Sequence, residues 1–185
     1  NIKFDQPIPA VVRGGMTRSS LGLKATDQLF VAGSTHPGEE ETLVECYLAL
    51  VRQCPSAVLL MAPRHIERVE SVEAMIRARG LAVHRRSTIG QGGALQPIGT
   101  RVLLLDSRGE LPAIYREAVV AFVGGTLVPI GGHNLLEPAQ WAKPVLFGPH
   151  TDHCAEIADL LIQAGGGYRV SHQEDLTRQV VALFS

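Results

Sequence analysis

The sequence predicts an α/β fold in which a doubly wound, mostly parallel sheet carries helices on both faces. Short, nearly continuous runs of Val, Leu and Ala alternate with longer stretches whose apolar residues recur at helical spacing. The apolar runs lack the polar alternation of a half-exposed strand, which is typical of strands covered on both faces. The chain has 185 residues and 45% hydrophobic content, enough for one sizeable core.

The alternation begins at residue 28. Strands are predicted, in order, at 28–33, 57–63, 81–85, 101–107, 119–125, 144–149 and 167–171. Helices are predicted between and after them at 38–54, 66–80, 109–118, 134–142, 153–165 and 173–184. Each helix returns the chain to begin a new strand, so the strands are expected to run parallel in a Rossmann-like sheet.

The first predicted helix shows the pattern that defines the others. Its apolar residues Leu43, Tyr47, Leu50 and Val51 lie on one face at helical spacing. Glutamates fill its first turn, where negative charge suits the helix dipole. Residues 1–15, by contrast, contain Pro and Gly with weak periodicity, and are predicted to form a linker that leads into one domain at 16–185. The first residue is Asn rather than Met, so we expect a piece of a longer protein.

The composition excludes several classes of partner. A net charge of -1 and a pI near 6.7 give no footprint for nucleic acid or for an anionic membrane surface. Three cysteines without CxxC spacing suit a reducing compartment, and they predict neither a disulfide framework nor a zinc site. His150 and His153 lack an HExxH pattern, so no metal is predicted. No cofactor is predicted either.

The loops that follow the strands are the expected ligand site, because ligands of such folds bind at the carboxyl ends of the strands. After the first strand, Gly33, Ser34 and His36 precede a helix, where backbone N–H groups and hydroxyls could hold a phosphate. A capped loop is the alternative.

The loop after the second strand offers a cation. Arg64 follows the strand directly, and a guanidinium fork suits a phosphate or a carboxylate. The alternative is a salt bridge to Glu67 or Glu70 on the following helix. After the fourth strand, Asp106 and Ser107 begin a turn that could equally be a helix cap.

The segment VGGTLVPIGGHNLLEPA at 123–139 follows the fifth strand and holds two pairs of glycines. The first pair is expected to let the backbone turn off the strand, and the second to let it approach a ligand closely. Asn134 and Glu137 fit a capping box, which is the structural alternative. Otherwise the Glu137 carboxylate would accept hydrogen bonds from the adjacent hydroxyls of a ribose. With a phosphate on Arg64, the two residues describe a nucleotide.

These segments resemble, in the same order, the C-terminal half of 3-deoxy-D-manno-octulosonic acid (Kdo) transferase. The resemblance covers NIKFD, GSTHPGEEE, APRHIER, DSRGEL, AFVGGTLVPIGGHNLLEPA and PVLFGPH, from the first residues to about position 170. It implies an inverting glycosyltransferase with two Rossmann domains (GT-B). This enzyme transfers Kdo from CMP-Kdo to the lipid A precursor in lipopolysaccharide biosynthesis, as a peripheral protein at the cytoplasmic face of the bacterial inner membrane.

The resemblance also implies an arrangement of parts. Residues 1–15 would be an interdomain linker remnant, 16–185 the donor-binding domain, and the absent N-terminal domain would hold the acceptor site and the catalytic base. No catalytic residue is therefore expected in this chain, and the isolated fragment is expected to bind CMP weakly and to transfer nothing. The alternatives are a GT-B enzyme that uses a UDP- or GDP-sugar, and a non-catalytic nucleotide-binding module.

The resemblance carries over nucleotide-binding positions in three segments, each of which follows a strand: Pro63, Arg64, Ser107, Arg108, Gly109, Asn134, Leu135, Leu136 and Glu137. Arg64 would contact the CMP phosphate, the turn at Ser107 would line the nucleotide pocket, and Glu137 would hold the ribose. Gly33, Ser34 and His36 are secondary candidates that would face the sugar end of the donor.

Overall fold

The computed structural model describes residues 16–89 and 101–185. Within these ranges seven strands form one parallel sheet, in the spatial order β3-β4-β2-β1-β5-β6-β7. The strands are β1 (Gln28–Thr35), β2 (Ala57–Pro63), β3 (Ala82–Arg85), β4 (Arg101–Leu104), β5 (Ala118–Val123), β6 (Val145–Phe147) and β7 (Gly167–Arg169). The predicted strands are therefore confirmed. The linker predicted at 1–15 lies outside the described residues.

Helices connect the strands and also follow the sequence pattern. They are α1 (Glu40–Gln53), α2 (Val69–Ala78), α3 (Leu111–Ile114), α4 (Leu136–Ala139), α5 (Ala155–Gln163) and α6 (Gln173–Phe184). Short 3-10 turns lie at Ser19–Leu21, Ile66–Arg68, Arg86–Thr88 and Tyr115–Glu117. None of the helices within the described ranges has the length and apolar character needed to cross a bilayer.

Two predicted helices are much shorter than expected. The helix predicted at 109–118 is one α turn followed by a 3-10 turn, and it starts late because Gly109 has a left-handed φ of 84°. The helix predicted at 134–142 is the single turn α4. Its path ends before Ala142, whose φ of 57° is incompatible with a continuing right-handed helix.

Both faces of the sheet are covered, as predicted. Successive residues of β1 point to opposite faces, so Phe30 and Ala32 join the core under α1, α2 and α6. Leu29 and Val31 join a second core on the other face, which includes Tyr115. Two buried faces explain why the strands read as continuous apolar runs.

The strand order places the strand-end loops around one crevice. β2 lies on one side of β1 and β5 on the other, so the direction of winding reverses between β1 and β5. Loops that leave neighbouring strands diverge at such a reversal and open a space at the carboxyl edge. The loops after β1, β2, β4 and β5 therefore border the same edge.

Candidate functional site

A cavity of about 210 Å³ opens where β1, β2 and β4 end. Six of the predicted site residues line it: Ser34, Pro63, Arg64, Ser107, Arg108 and Gly109. A larger cavity of about 500 Å³ lies in the groove between α1 and α6, but no strand-end loop lines it. We therefore place the candidate site at the smaller cavity, where the topology brings polar residues together.

Two guanidinium groups at the cavity are uncommitted. Arg64 and Arg108 are both exposed, and within the described residues neither forms an ion pair. The alternative that Arg64 pairs with Glu67 or Glu70 is therefore wrong. The nearest charged partner of Glu67 is His65, with Nδ1 4.0 Å from the carboxylate. Because no carboxylate neutralises them, both cations are available to an anion.

Side-chain contacts hold the turn after β4. The Ser107 hydroxyl donates to the Glu110 carboxylate, which also pairs with Arg86 at 3.1 Å. Asp106 accepts a hydrogen bond of 2.8 Å from the Ser87 N–H. No side chain caps α3, so the helix-cap alternative for this turn is wrong. Ser107 and Asp106 therefore fix the turn through their side chains, and the Arg108 side chain remains exposed at the cavity.

Only some of the hydrogen-bonding groups at the start of α4 have partners. Asn134 Oδ1 accepts a hydrogen bond of 3.0 Å from the Leu136 N–H, but α4 begins at Leu136 with Leu135 at its N-cap and no side-chain cap, so the predicted N-cap position of Asn134 is wrong by one residue. The reciprocal contact of a capping box is missing: within residues 16–89 and 101–185, the Glu137 carboxylate accepts no hydrogen bond. The N–H groups of Leu135 and Glu137 donate none in that part of the chain either. The segment thus presents acceptors and donors without partners.

Burial affects the Glu137 carboxyl more than its neighbours do. Loss of solvent raises its pKa, and the positive charge of Arg64 lowers it only in part. A half-buried carboxylate without hydrogen bonds is costly, and two hydroxyls of a ligand would satisfy it. The site therefore combines a cation and an unsatisfied acceptor.

Gly33 packs against side chains of the protein interior and does not face the cavity. A Cβ at this position would lie 1.9 Å from the Tyr115 hydroxyl oxygen, so the predicted contact of Gly33 with a donor sugar is replaced by Tyr115. Burial raises the pKa of Tyr115, and the charge of Glu137 adds to that rise. No sequence pattern points to Tyr115, because its role depends on a contact between the 3-10 turn at Tyr115–Glu117 and the distant strand β1.

Ser34 is the residue of β1 that reaches the cavity. It has a left-handed φ of 55°, and the pairing of β1 with β2 slips between Gly33 and Thr35. The bulge turns Ser34 out of the ladder and onto the cavity wall. Gly124 packs against this bulge: a Cβ there would lie 2.2 Å from the Ser34 carbonyl oxygen. The ends of β1 and β5 therefore touch through bare backbone.

The second glycine pair also contacts protein rather than open space. A Cβ at Gly131 would lie 2.7 Å from His153 Nδ1, and one at Gly132 would lie 2.8 Å from Cys154 Sγ. Their N–H groups both donate to the Gly125 carbonyl, at 3.1 and 2.9 Å. The expectation that this pair leaves room for a ligand is wrong, because the loop after β6 fills that room.

Glu39 supports the loop after β5 from beneath. It is fully buried, and its carboxylate accepts hydrogen bonds from four backbone N–H groups. Three belong to Gly125, Thr126 and Leu127, at 2.9, 3.1 and 2.9 Å, and the fourth belongs to His36 at 3.0 Å. The N–H groups of Gly125, Thr126 and Leu127 are therefore occupied by the protein itself.

Glu40 is buried in the same way and faces the loop after β2. It accepts two hydrogen bonds from Arg68, at 2.7 and 2.8 Å, and one of 3.0 Å from the Thr35 hydroxyl. The contact with Glu40 is the main reason that the pKa of Arg68 is raised. From the sequence, these glutamates are predicted to be ordinary acidic residues of a helix's first turn. The only available signal was the spacing of Glu39 three residues after His36, as in a capping box.

His36 joins a histidine from a distant segment. Its Nε2 lies 2.7 Å from Nε2 of His133, and the His65 ring contacts it edge-on at 5.7 Å between centroids. The loop after β1 and the loop after β5 therefore meet through side chains as well as backbone. Within the described residues, no group of three or more His, Cys, Asp or Glu side chains is arranged to hold a metal ion.

The parallel sheet, its reversal between β1 and β5 and the site at the carboxyl edge define the class: the C-terminal domain of a GT-B glycosyltransferase. No family model matches the chain. Its relatives include 3-deoxy-D-manno-octulosonic acid transferase from Haemophilus influenzae, which is 39% identical over 158 residues, or 85% of this chain and 36% of the relative. The Aquifex aeolicus transferase is 33% identical over 89% of this chain and 44% of its own length. The chain thus spans less than half of these relatives.

A solved structure covers the chain more evenly. The C-terminal CMP-Kdo binding domain of WaaA from Acinetobacter baumannii is 31% identical and superposes with a TM-score of 0.78. The match covers 86% of this chain and 81% of that domain. The chain belongs to the 3-deoxy-D-manno-octulosonic acid transferase family.

Proposed function

We propose that the chain is the CMP-Kdo binding part of a glycosyltransferase that transfers Kdo to the lipid A precursor in lipopolysaccharide biosynthesis. The observation that carries the proposal is the uncommitted Arg64 beside the unsatisfied Glu137, in a chain that is 31% identical to a CMP-Kdo binding domain. The names of the curated relatives support the same reaction.

The charges suggest how the nucleotide lies in the site. A phosphate would be repelled by the Glu137 carboxylate and attracted by Arg64, whereas ribose hydroxyls would donate to Glu137. The free N–H groups of Leu135 and Glu137 would add donors for the phosphate. The base would then enter the cavity near Ser107 and Arg108. The three nucleotide-binding segments predicted after β2, β4 and β5 would thereby contribute to one ligand.

The transfer divides between two parts of the enzyme. Inverting transfer needs a base that deprotonates the acceptor hydroxyl, and positive potential that stabilises the departing CMP phosphate. Arg64 supplies the potential. We propose that the base and the acceptor site lie in the part of the relatives that this chain does not span. The whole enzyme would act at the cytoplasmic side of the inner membrane, and the 185-residue chain alone would bind CMP weakly without transferring Kdo.

Calorimetric titration of the chain with CMP, UMP and GMP tests the proposal. We expect a preference for CMP that falls at least about tenfold in Arg64→Ala and in Glu137→Ala, because each loses a charge-assisted contact. Arg52→Ala and Glu41→Ala are matched controls, since both side chains are exposed and neither lines the cavity. Thermal unfolding should change little in the arginine variants.

Other outcomes would point elsewhere. A preference for UMP or GMP would favour a transferase that uses a UDP- or GDP-sugar. Tight CMP binding in an enzyme of full length that forms no product from CMP-Kdo would favour a non-catalytic module. Unchanged CMP binding in Glu137→Ala would contradict the ribose contact.

A further inference from the structure

Two buried tyrosines differ in the hydrogen bonds of their hydroxyls. The Tyr47 hydroxyl lies 2.9 Å from the carbonyl oxygens of Ala57 and Arg101, and it accepts a hydrogen bond of 3.2 Å from the Arg101 N–H. Tyr115 is only 1% exposed, yet within residues 16–89 and 101–185 its hydroxyl forms no hydrogen bond. Buried polar groups are nearly always paired, so the Tyr115 hydroxyl is an exception that needs an explanation.

The Tyr115 hydroxyl lies near the carboxyl end of β1, beside the candidate cavity. A Cβ at Gly33 would lie 1.9 Å from the hydroxyl oxygen and 3.0 Å from Leu111 Cδ2, so the two side chains converge on the bare backbone of Gly33. Leu111 and Ser34, the residue after Gly33, both line the cavity. The hydroxyl is therefore next to two parts of the cavity wall.

The hydroxyl oxygen is the part of Tyr115 that a ligand can reach. In the described part of the chain, no fully buried side-chain nitrogen or oxygen lacks a hydrogen bond. The Tyr115 oxygen has no such bond there, so it must keep some of the small exposed surface of this residue. The ring itself belongs to the apolar core on that face of the sheet. A hydroxyl on a ring fixed in this way can bind a ligand with little further loss of side-chain entropy.

The helix turn that carries Glu137 packs against the segment that carries Tyr115. α4 contacts the 3-10 turn at Tyr115–Glu117, and Trp141 Nε1 donates a hydrogen bond of 2.8 Å to the Pro112 carbonyl. Burial raises the pKa of Tyr115, and the nearby charge of Glu137 raises it further. The two side chains form no hydrogen bond with each other. A donor and an acceptor, both without partners in the described residues, are therefore neighbours.

A ligand hydroxyl is the group that suits both of them. The Glu137 carboxylate can only accept a hydrogen bond, whereas the Tyr115 phenol has an O–H to donate. A hydroxyl that donates its proton to Glu137 keeps free lone pairs, which can accept from Tyr115. A phosphate oxygen carries no proton for Glu137 and would be repelled by it. A methylene group would leave both side chains without a partner.

We propose that Tyr115 is a specificity-determining residue, which donates a hydrogen bond to one of the two ribose hydroxyls at Glu137 and so selects a ribonucleotide over its deoxy counterpart. This role rests on the proposed function, in which Glu137 accepts hydrogen bonds from the ribose. Tyr115 adds a second contact to one of the same hydroxyls. A site built to bind a hydroxyl rejects the analogue that lacks it, because its polar groups are then left unpaired.

Calorimetric titration of the unmodified protein and of Tyr115→Phe with CMP, 2′-deoxy-CMP and 3′-deoxy-CMP tests the contact. The substitution removes the hydroxyl and keeps the ring, so affinity for CMP should fall about fivefold. The analogue that lacks the hydroxyl bound by Tyr115 should bind both proteins equally, because its contact is already absent. The other analogue should lose affinity about as CMP does. A purely structural change would weaken all three ligands alike.

Stability and a matched variant provide the controls. Because the Tyr115 hydroxyl has no partner in the described residues, Tyr115→Phe should leave the midpoint of thermal unfolding unchanged or slightly raised. Tyr168→Phe is the matched control, since its hydroxyl donates to the Gly165 carbonyl at 3.3 Å and neither residue lines the cavity. It should leave all three affinities unchanged.

A second measurement uses the unmodified side chains. The chain has three tyrosines, so NMR of protein labelled at the ζ carbon of tyrosine should give three signals, which the Phe variants assign. We expect CMP to shift the Tyr115 signal as its hydroxyl gains a hydrogen bond, and to leave the Tyr47 signal in place. A Tyr115 signal that does not move at saturating CMP would overturn the contact.

The outcomes separate the role of Tyr115 from the proposed function. If CMP does not bind the unmodified protein, both fail. If CMP binds and Tyr115→Phe keeps its full affinity, or loses the same factor for all three ligands, only the role of Tyr115 is overturned. If both deoxy analogues bind the unmodified protein as tightly as CMP, the ribose contact of Glu137 fails, and the contact of Tyr115 fails with it.

Discussion

Two pairs of charged residues on the same sheet edge behave in opposite ways. Glu39 and Glu40 are fully or almost fully buried, and their carboxylates are filled by hydrogen bonds from the protein. Glu137 and Arg64, on neighbouring loops, have no such partners within the described residues. Both pairs consist of charged residues, and both lie at the carboxyl edge of the sheet. What separates structural from ligand-binding groups here is whether the protein itself satisfies them.

The difference also separates their energetics. A carboxylate with four N–H donors stabilises the loops that supply them, whereas a half-buried carboxylate without donors costs free energy until a ligand arrives. Substitutions in the first group should therefore lower the stability of the fold. Substitutions in the second should leave the fold as stable or make it more stable, and should weaken binding.

The largest effect is expected for Glu39→Ala. Four backbone N–H groups would lose a charged acceptor in a buried place, so the free energy of unfolding should fall by about 3 kcal/mol or more. Urea unfolding measures the loss. Glu41→Ala, the exposed third glutamate of the run, should change the unfolding free energy by less than about 0.5 kcal/mol. Equal effects in the two variants would contradict the assignment of Glu39.

A smaller loss is expected for Gly33→Ala, which tests the contact behind the cavity. The new Cβ would overlap the Tyr115 hydroxyl, and overpacking of this kind costs about 2 kcal/mol. Adding Tyr115→Phe removes the hydroxyl and should restore part of the loss in a double-mutant cycle. Gly166→Ala is the control, because no atom lies within 4 Å of its Cβ position. An additive cycle would show that the two positions do not touch.

The smallest effect on stability, and one of opposite sign, is expected for Glu137→Gln. Burial raises the pKa of Glu137 in the folded state, so the ionised group opposes folding at neutral pH. The neutral amide should raise the free energy of unfolding by about 0.5 kcal/mol, a figure discounted for partial exposure, and should weaken CMP binding. A variant that is both less stable and unchanged in CMP affinity would reverse the comparison.

The pH dependence of stability checks the same group. A carboxyl whose folded pKa lies above its ordinary value of 4.5 gains a proton on folding, so stability increases as the pH falls through the folded pKa toward 4.5. The contribution is lost as the pH rises again. Glu137→Gln should remove this part of the profile in unfolding experiments at several pH values.

The sheet could be predicted from the sequence because strand burial leaves a local signal. β2 is apolar throughout because every one of its residues is buried, and the helices between the strands repeat their apolar residues at helical spacing. The short helices were overestimated, since a single turn such as α4 has too few residues for periodicity to show where it ends.

The sequence predicts where the candidate site lies in the fold, but it does not predict which of its polar groups are free to bind a ligand. Parallel topology identifies the loops after β1, β2, β4 and β5, and Arg64 and Ser107 indeed line one cavity. Which polar groups stay free depends on partners that are distant in sequence: Glu39 meets the N–H of Gly125, 86 residues away. The one local signal that separates Glu39 from Glu41 is its spacing of three residues after His36, and that spacing does not show that Glu39 is buried and Glu41 exposed.

The contact of Gly124 with the Ser34 bulge has a consequence for the thermodynamics of ligand capture. The Gly124 N–H also donates to the Gly33 carbonyl at 2.8 Å, so two loops from opposite sides of the winding reversal are fastened before any ligand arrives. Ordering loops on association usually opposes affinity through lost entropy. At the contact between Gly124 and Ser34 that entropy has already been lost during folding. The backbone at this side of the cavity would therefore need little rearrangement when a nucleotide binds.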